Sequence, residues 1–170
     1  MLNVKRRIKL SNLKTNAMRI LDKSGVSYNT YSYNLDDGLV DGVSVASKIG
    51  KSAEQVYKTL VTQGTSKEHY VFVIPVAKEL DLKAAAKAVG EKAIEMIKVS
   101  DINKITGYIR GGCSPIGMKK DYKTVLDSSC KELDTFIISA GKIGHQIELS
   151  PEDLKKLIGC SIEDVIIKHS

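Results

Sequence analysis

The stretch Val56-Tyr57-Lys58-Thr59-Leu60-Val61-Thr62-Gln63, followed by the polar turn 64–68 and the apolar run 69–76, decides the fold class predicted for this chain. Two strand-like runs joined by a short polar connection predict a β-hairpin. Side chains alternate across a strand, so Lys58 shares a largely apolar face with Val56 and Leu60. A buried lysine is costly unless a ligand or an ion pair uses it; the alternative is that Lys58 reaches solvent from an edge strand.

Short strands and short helices follow one another irregularly on both sides of the hairpin. Helices are predicted to begin at caps Thr15, Ser44, Asp81, Ser100 and Ser150, and a last strand is predicted over 165–168. The pattern lacks the regular strand-then-long-helix alternation of a parallel doubly wound sheet. We therefore predict a mixed α/β fold, with one largely antiparallel sheet or barrel and helices packed around it.

Composition limits the possible partners and compartments. The chain has 170 residues and a net charge of +6, which fits one domain and favours an anionic partner, nucleic acid first. Three scattered cysteines and three scattered histidines give no disulfide framework and no metal-ligand spacing. No stretch is long enough to span a membrane, and a reducing cytoplasm is the simplest location. Residues 1–13 are predicted to be a mobile basic extension.

A glycine-rich loop lies within Tyr108–Lys120, whose sequence is YIRGGCSPIGMKK. Gly111 and Gly112 allow a ligand close to their backbone N–H groups, and Pro115 stiffens the segment. Exposed amides next to cations suit a carbonyl oxygen or a phosphate, although a simple tight turn is the alternative. Cys113 has no recognisable base partner, which favours a small buried thiol over a nucleophile.

Four ordered segments together resemble the YbaK group of aminoacyl-tRNA deacylases. They are 58–61 (KTLV), 82–90 (LKAAAKAVG), 106–117 (TGYIRGGCSPIG) and 139–142 (SAGK). The resemblance covers residue 14 to the C-terminus, which defines an editing domain over 14–170 beside the extension 1–13. It implies a barrel-like mixed sheet surrounded by helices. It also implies hydrolysis in trans of the ester of mischarged tRNA, typically cysteine on proline tRNA, in association with prolyl-tRNA synthetase and without a metal or other cofactor.

The resemblance assigns roles to individual residues. It implies catalytic roles for Lys58, Gly111 and Gly112. The implied substrate-binding residues are Tyr33, Thr59, Ser114, Pro115 and Ser139. Arg110, Lys119, Lys120 and Lys142 are candidates for tRNA contacts. The chain departs from the family pattern at two places, because Val40 or Asp41 stands where the family has a pocket phenylalanine and Gln146 where it has an aspartate.

An aminoacyl ester is already activated, so preorganised donors can suffice for its hydrolysis. We expect the glycine-loop amides and Lys58 to position the ester, and the substrate's own cysteine thiol to attack it, as the family is thought to do. Two alternatives stay open. One is a related deacylase that uses water on another small amino acid, such as alanine on proline tRNA. The other is a non-catalytic module that binds tRNA or a synthetase.

Overall fold

The computed structural model describes residues 14–168. The predicted basic extension 1–13 lies outside this range. Five α-helices are present: α1 Asn16–Lys23, α2 Gly42–Lys48, α3 Leu82–Val89, α4 Ile102–Thr106 and α5 Pro151–Ile158. Two short 3-10 helices cover Val99–Asp101 and Ser128–Glu132. The strands are β1 Asn29–Ser32, β2 Tyr57–Gly64, β3 His69–Pro75, β4 Ile94–Met96, β5 Lys123–Asp127, β6 Phe136–Ser139, β7 His145–Leu149 and β8 Ser161–Glu163.

The strands form two sheets, and the predicted mixed α/β class is confirmed. One sheet has five strands in the order β4-β2-β3-β5-β8, and the other has three in the order β1-β7-β6. The predicted hairpin is the antiparallel pair β2–β3, in which Lys58 lies opposite Ile74. The pairs β3–β5 and β5–β8 are parallel. The remaining pairs are antiparallel.

The sheets do not close into a barrel, so the expected single sheet or barrel is replaced by two sheets that meet at one point. Val56, just before β2, forms a parallel bridge to Ile137 on β6. Further along, β2 pairs with β4 only from Thr62 to Gly64. Residues 57–61 of β2 therefore have β3 on one side and no ladder on the other, among the residues described. This interruption opens the space that becomes the candidate site.

Buried side chains fix the two sheets against the helices. A large core packs α1 and α5 with Val71, Val73, Ile138 and Ile147. A second core packs α3 against Phe72, whose side chain is fully buried on the opposite face of the five-stranded sheet. Tyr57 bridges the sheets by an edge-to-face contact with Phe136, with 5.1 Å between ring centroids. The result is a rigid frame around residues 57–61.

Local signals for helix starts are confirmed at three caps and wrong at two. Thr15, Ser150 and Asp81 accept backbone N–H groups in the first turns of their helices. Asp41, not Ser44, caps α2, because its carboxylate accepts the Ser44 N–H at 3.1 Å. Ser100 lies inside the 3-10 helix that precedes α4 and caps nothing.

The predicted last strand over 165–168 is also wrong. The C-terminal strand is β8, and the later segment forms only an isolated bridge between Ile166 and Leu80. The Val165 N–H donates to the buried Asp127 carboxylate at 3.0 Å, and its carbonyl accepts the Asp81 N–H at 2.8 Å. The Val165 N–H is thus taken by a side chain, and the bond of its carbonyl belongs to the isolated Leu80–Ile166 bridge, which does not continue into a ladder. In the described part of the chain, no helix has the length and apolar character needed to cross a membrane.

Candidate active site

A cavity of about 550 Å³ opens beside residues 57–61 of β2, where the two sheets separate. Its walls come from eight segments of the chain. They are the residue after β1, the start of α2 with the residues before it, β2, the residue after β3, the segment from the end of β4 to the start of α4, the glycine loop, the end of β6 and the start of β7. The lining residues are Tyr33, Val40, Asp41, Gly42, Val43, Val45, Val56, Tyr57, Lys58, Thr59, Leu60, Val61, Val76, Met96, Ile97, Val99, Ile102, Arg110, Gly111, Cys113, Ser139 and Gln146.

Lys58 is half-buried on the wall of this cavity. Burial lowers the pKa of its ammonium, and the negative charge of Glu79 opposes that shift. No carboxylate among residues 14–168 pairs with it within salt-bridge distance. The structure therefore favours the ligand-directed interpretation of Lys58 over a side chain that simply reaches solvent, because Lys58 is half-buried on the cavity wall and its charge has no protein partner within salt-bridge distance.

Tyr33 and Thr59 bring two buried hydroxyl groups to the same cavity. Neither hydroxyl oxygen has a hydrogen-bond partner among the described residues. Buried polar groups are normally satisfied, so an unpartnered hydroxyl in a residue that lines a cavity is a candidate for a ligand contact. The Tyr33 ring is also held in place, because the Lys48 ammonium lies 5.7 Å from its centroid.

The two candidate glycines of the loop have different surroundings: Gly111 lines the cavity, whereas Gly112 lies in the protein interior. Gly111 has φ of +84° and lines the cavity, and its N–H makes no hydrogen bond to any described residue. Gly112 is buried, and its N–H donates to the Ile109 carbonyl at 3.0 Å. A Cβ on Gly112 would lie 3.1 Å from the Ile143 nitrogen. The expectation that both amides face the ligand is thus corrected: Gly111 offers its amide, whereas Gly112 allows the loop to approach the 142–143 turn.

Ser139 and Gln146 form the base of the cavity as a cross-strand pair between β6 and β7. The Ser139 hydroxyl oxygen accepts the Gly141 N–H at 3.1 Å, which leaves its proton free to be donated. Gln146 is buried and neutral, so this wall carries an amide where the family pattern has a carboxylate. Asp41, the other departure, also lines the cavity.

The structure does not bring every predicted site residue to the cavity. Ser114 is fully buried, and its hydroxyl oxygen accepts the Ile116 N–H at 3.3 Å. Pro115 lines a separate cavity of about 500 Å³, which it shares with Lys120. Both loop residues therefore shape the backbone and do not contact a ligand in the main cavity. This corrects the expectation of direct substrate contacts for Ser114 and Pro115.

The basic candidates for tRNA contacts are also separated. Arg110 is exposed and lines the main cavity, and Lys142 is exposed on the turn that packs against Gly112. The Lys119 ammonium instead donates to the Lys104 carbonyl at 3.3 Å, at the end of α4. Arg110 is thus the candidate closest to the site.

Sequence reasoning missed the apolar mouth of the cavity. Val40, Val43, Met96 and Val99 line it and are 40%, 48%, 46% and 55% exposed. Single exposed aliphatic residues carry no sequence signal, because most proteins have them on the surface. Only the fold shows that these come from two segments and face one opening.

Cys113 also lines the cavity, and burial raises the pKa of its thiol to about 11. The thiol is therefore protonated near neutral pH, in agreement with the interpretation that it is not the nucleophile. The cavity lining contains no histidine. Within residues 14–168, no group of three histidine, cysteine or acidic side chains is placed to hold a metal ion.

Comparison with known proteins identifies the family of the chain that forms this cavity. The family model described as "Aminoacyl-tRNA editing domain" matches residues 40–157, which include most of the cavity lining. This chain belongs to the aminoacyl-tRNA editing domain family. It is also 43% identical over 156 residues to a protein of Enterococcus faecalis named "Putative Cys-tRNA(Pro)/Cys-tRNA(Cys) deacylase EbsC", an alignment that covers 92% of this chain and 95% of the relative.

Solved structures extend the fold of this editing domain to distant relatives. One is described as "a putative trans-editing enzyme for prolyl tRNA synthetase", with a TM-score of 0.78 and 20% identity, covering 91% of this chain and 99% of that one. Another, "hypothetical protein APE2540", has a TM-score of 0.79 at 20% identity and covers 86% of this chain and 96% of that one. At this identity the likeness shows the shared fold alone.

Proposed function

We propose that this editing domain is an aminoacyl-tRNA deacylase that acts in trans and removes cysteine from proline tRNA. The observation that carries the proposal is the composition of the cavity. Lys58, Gly111, Tyr33 and Thr59 all line one cavity, which is lined by no histidine and by a protonated cysteine, and the hydroxyls of Tyr33 and Thr59 have no partner among the described residues. Such a site supplies hydrogen-bond donors but no general base.

Donors without a base suit a reaction in which the substrate supplies the nucleophile. In our proposal the sulfur of the cysteinyl group attacks its own ester carbonyl carbon and forms a four-membered thiolactone. The bond from that carbon to the ribose oxygen breaks, and the leaving oxygen takes up the proton that the thiol released. Water then opens the thiolactone. The Gly111 N–H and Lys58 stabilise the negative charge that develops on the oxygens, a contribution typically worth about a hundredfold or more in rate per donor.

Substrate-assisted attack also explains how a small amino acid could be selected. Size alone discriminates poorly, because one methylene is worth about 1–3 kcal/mol in a hydrophobic pocket. A reaction that needs a thiol at the β-carbon excludes alanine and serine chemically. The aliphatic mouth formed by Val40, Val43, Met96 and Val99 then needs only to admit the aminoacyl end of the tRNA.

The tRNA itself is proposed to bind by its phosphates, with Arg110 and Lys142 on the cavity side and Lys119, Lys120 and Lys123 further along the chain. Phosphate contacts position without reading sequence, so they leave the choice of tRNA to a partner. We propose prolyl-tRNA synthetase as that partner, since it produces the mischarged tRNA. We propose the cytoplasm as the compartment, since the mischarged tRNA is found there. Activity should accordingly fall steeply with added salt. A rate that does not depend on salt would remove the phosphate contacts.

The test is turnover of proline tRNA charged with cysteine, serine or alanine, followed by release of the labelled amino acid. We expect release of cysteine only, and its loss in Lys58→Met, which keeps the side-chain length and removes the charge. Lys83→Met, on the exposed face of α3, is the matched control and should keep full activity.

Two results would change this proposal. Release of alanine or serine at a similar rate would replace the substrate thiol by water as the nucleophile. Binding of tRNA without release of any amino acid would favour a non-catalytic module that delivers or shields charged tRNA.

A further inference from the structure

The charged groups on the cavity wall include one carboxylate, Asp41. Among the residues that line the cavity, the others with charge are Lys58 and Arg110, both cationic. Asp41 is exposed at the opening, and one of its carboxylate oxygens accepts the Ser44 N–H at 3.1 Å. Ser44 also donates to this carboxylate through its side chain. An exposed carboxylate without a cationic partner on the wall of a ligand cavity can receive a cation.

The Asp41 carboxylate is ionised and lacks a protein counter-ion. Hydrogen bonds from Ser44 hold its pKa below the usual value for an aspartate. No lysine or arginine within residues 14–168 lies within salt-bridge distance of it. The nearby cation is Lys48, whose charge contributes only weakly to that pKa shift. The negative charge therefore remains available.

Lys48 is not free to pair with Asp41, because all three of its N–H groups have other acceptors. They donate to the Asn34 carbonyl at 2.8 Å, to the Asp37 carboxylate at 2.6 Å and to the Leu39 carbonyl at 2.7 Å. These bonds tie the loop before Asp41 to α2. The same ammonium lies 5.7 Å from the Tyr33 ring. Lys48 thus fixes the Asp41 wall of the cavity without neutralising it.

We infer that Asp41 binds the α-ammonium group of the aminoacyl ester. This rests on the proposed function, in which the ligand is an aminoacylated ribose. Such a ligand has negative phosphates and a neutral ester, and the α-ammonium is its only cation. Asp41 would accept that cation at the opening, opposite in charge to Lys58, which faces the ester oxygens. The aminoacyl group would then be oriented by one charge at each end.

The assignment gives the site a selectivity that pocket size does not provide. In peptidyl-tRNA and other N-acylated tRNAs the α-nitrogen is a neutral amide, which has no charge for Asp41 to bind. An editing enzyme with this contact would discriminate against chains under synthesis and act on free aminoacyl esters. Asp41 is a positioning residue in this account, since it contacts the substrate away from the breaking bond.

The experiment separates the charge of Asp41 from its role as a helix cap. Asp41→Asn keeps a good capping side chain and removes the charge, so its melting temperature should equal that of the wild type. Asp41→Ala removes both and should melt lower. The Asn variant is therefore the informative one, and the Ala variant shows what loss of the cap does by itself.

Binding is measured by calorimetry with two non-hydrolysable adenosine analogues, linked through a 3′-amide. One carries cysteinyl and the other 3-mercaptopropionyl, so the pair differs only by the α-ammonium. We expect the wild type to bind the cysteinyl analogue about tenfold more tightly, as a charge-assisted hydrogen bond predicts. Asp41→Asn should lose this preference and bind the mercaptopropionyl analogue as the wild type does.

Three outcomes overturn the assignment: no preference in the wild type, the same preference in Asp41→Asn, or equal weakening of both analogues by the substitution. Turnover of cysteinyl-tRNA is measured on the same preparations. A wild type that prefers the ammonium analogue but releases no cysteine would refute the deacylase function and keep the Asp41 assignment. A wild type that releases cysteine without that preference would keep the deacylase function and refute the Asp41 assignment.

Discussion

Tyr33 and Thr59 line one cavity, and their buried hydroxyl oxygens have no hydrogen-bond partner among residues 14–168. The two residues come from different sheets. Thr59 is on β2 and Tyr33 directly follows β1, where its N–H donates to the Gly144 carbonyl at 3.0 Å. An unsatisfied buried hydroxyl costs free energy in the unliganded protein. The site therefore holds polar groups whose benefit comes only when a ligand is bound.

Removing these hydroxyls should improve stability while harming activity. We expect Thr59→Val and Tyr33→Phe to leave the free energy of unfolding unchanged or to raise it by up to about 1 kcal/mol, because no native hydrogen bond is lost. Each should reduce deacylation by about tenfold if the hydroxyl binds the substrate. Denaturant unfolding and single-turnover rates measure the two effects.

Thr62→Val is the matched control on the same strand. Its buried hydroxyl donates to the Tyr70 carbonyl at 2.9 Å, so the substitution removes a native hydrogen bond. The expected destabilisation is about 0.5–1.5 kcal/mol. If Thr59→Val destabilised the protein as much as Thr62→Val, the idea that the Thr59 hydroxyl is reserved for a ligand would be wrong.

Adding a methyl group to Gly112 should disturb the loop that presents the Gly111 amide. The new Cβ would lie 3.1 Å from the Ile143 nitrogen and 3.3 Å from the Lys142 carbonyl carbon, so loop and turn must separate by a few tenths of an ångström. Catalysis is sensitive to such displacement, and we expect Gly112→Ala to lower kcat at least about tenfold.

Gly25→Ala provides the comparison for that variant. Gly25 has φ of +70° and no atom within 4 Å of the added Cβ, so its cost is backbone strain alone, about 1 kcal/mol. It should melt lower with an unchanged kcat. A Gly112→Ala enzyme with wild-type kcat would show that the precise approach of the two segments is unimportant.

The pKa of Lys58 makes stability depend on pH in a defined direction. Burial lowers this pKa in the folded protein below the ordinary 10.5, so the unfolded chain binds more protons between the two values. Stability should rise with pH across that window, and the cost of the buried charge is fully present at neutral pH. Lys58→Met should therefore melt higher than the wild type at pH 7, with a difference that narrows towards pH 10.5.

Calorimetric melting of both proteins from pH 7 to 10.5 measures this effect, with Lys83→Met to correct for the lost surface charge. A melting difference that stays constant over the whole range would contradict a depressed pKa for Lys58. Because the same substitution should abolish deacylation, the charge is expected to destabilise the fold and support the function.

The protonated state of Cys113 can be tested by alkylation. With a pKa of about 11, its thiolate fraction at pH 8 is small, and reaction with iodoacetamide should be roughly a hundredfold slower than that of an ordinary free thiol. The rate should grow about tenfold per pH unit up to that pKa. Peptide mapping by mass spectrometry distinguishes Cys113 from Cys130 and Cys160. Rapid labelling at neutral pH would return Cys113 to the list of possible nucleophiles.

Sequence patterns predicted the features that depend on neighbouring residues. The hairpin follows from two strand-like runs. Asp81 and Ser150 cap their helices because each cap is next to the turn whose N–H groups it accepts. A ligand-facing position is one of two interpretations of Lys58 that the strand pattern allows. The structure supports it through a feature that depends on distant residues, because among residues 14–168 no strand pairs with β2 on its second side at Lys58.

The features that sequence missed depend on distant contacts. Val165 is β-branched and looks like the start of a strand, but the Asp127 carboxylate takes its N–H and its carbonyl joins only the isolated Leu80–Ile166 bridge. Ser114 lies in a loop that resembles a binding motif, yet its hydroxyl is used by Ile116. Gly111 and Gly112 are identical in type, and only the bond from Gly112 to Ile109 separates their roles.

The pairing of β1 with β7 determines when this part of the structure can form during translation. Tyr31 lies opposite Gln146, so β1 cannot find its partner until the ribosome has synthesised the long segment 33–144. At about 5–20 residues per second, this delay is on the order of ten seconds. The nascent chain thus completes the β2–β3 hairpin early and the Tyr33 wall last. Competence for catalysis should therefore appear only near the end of translation.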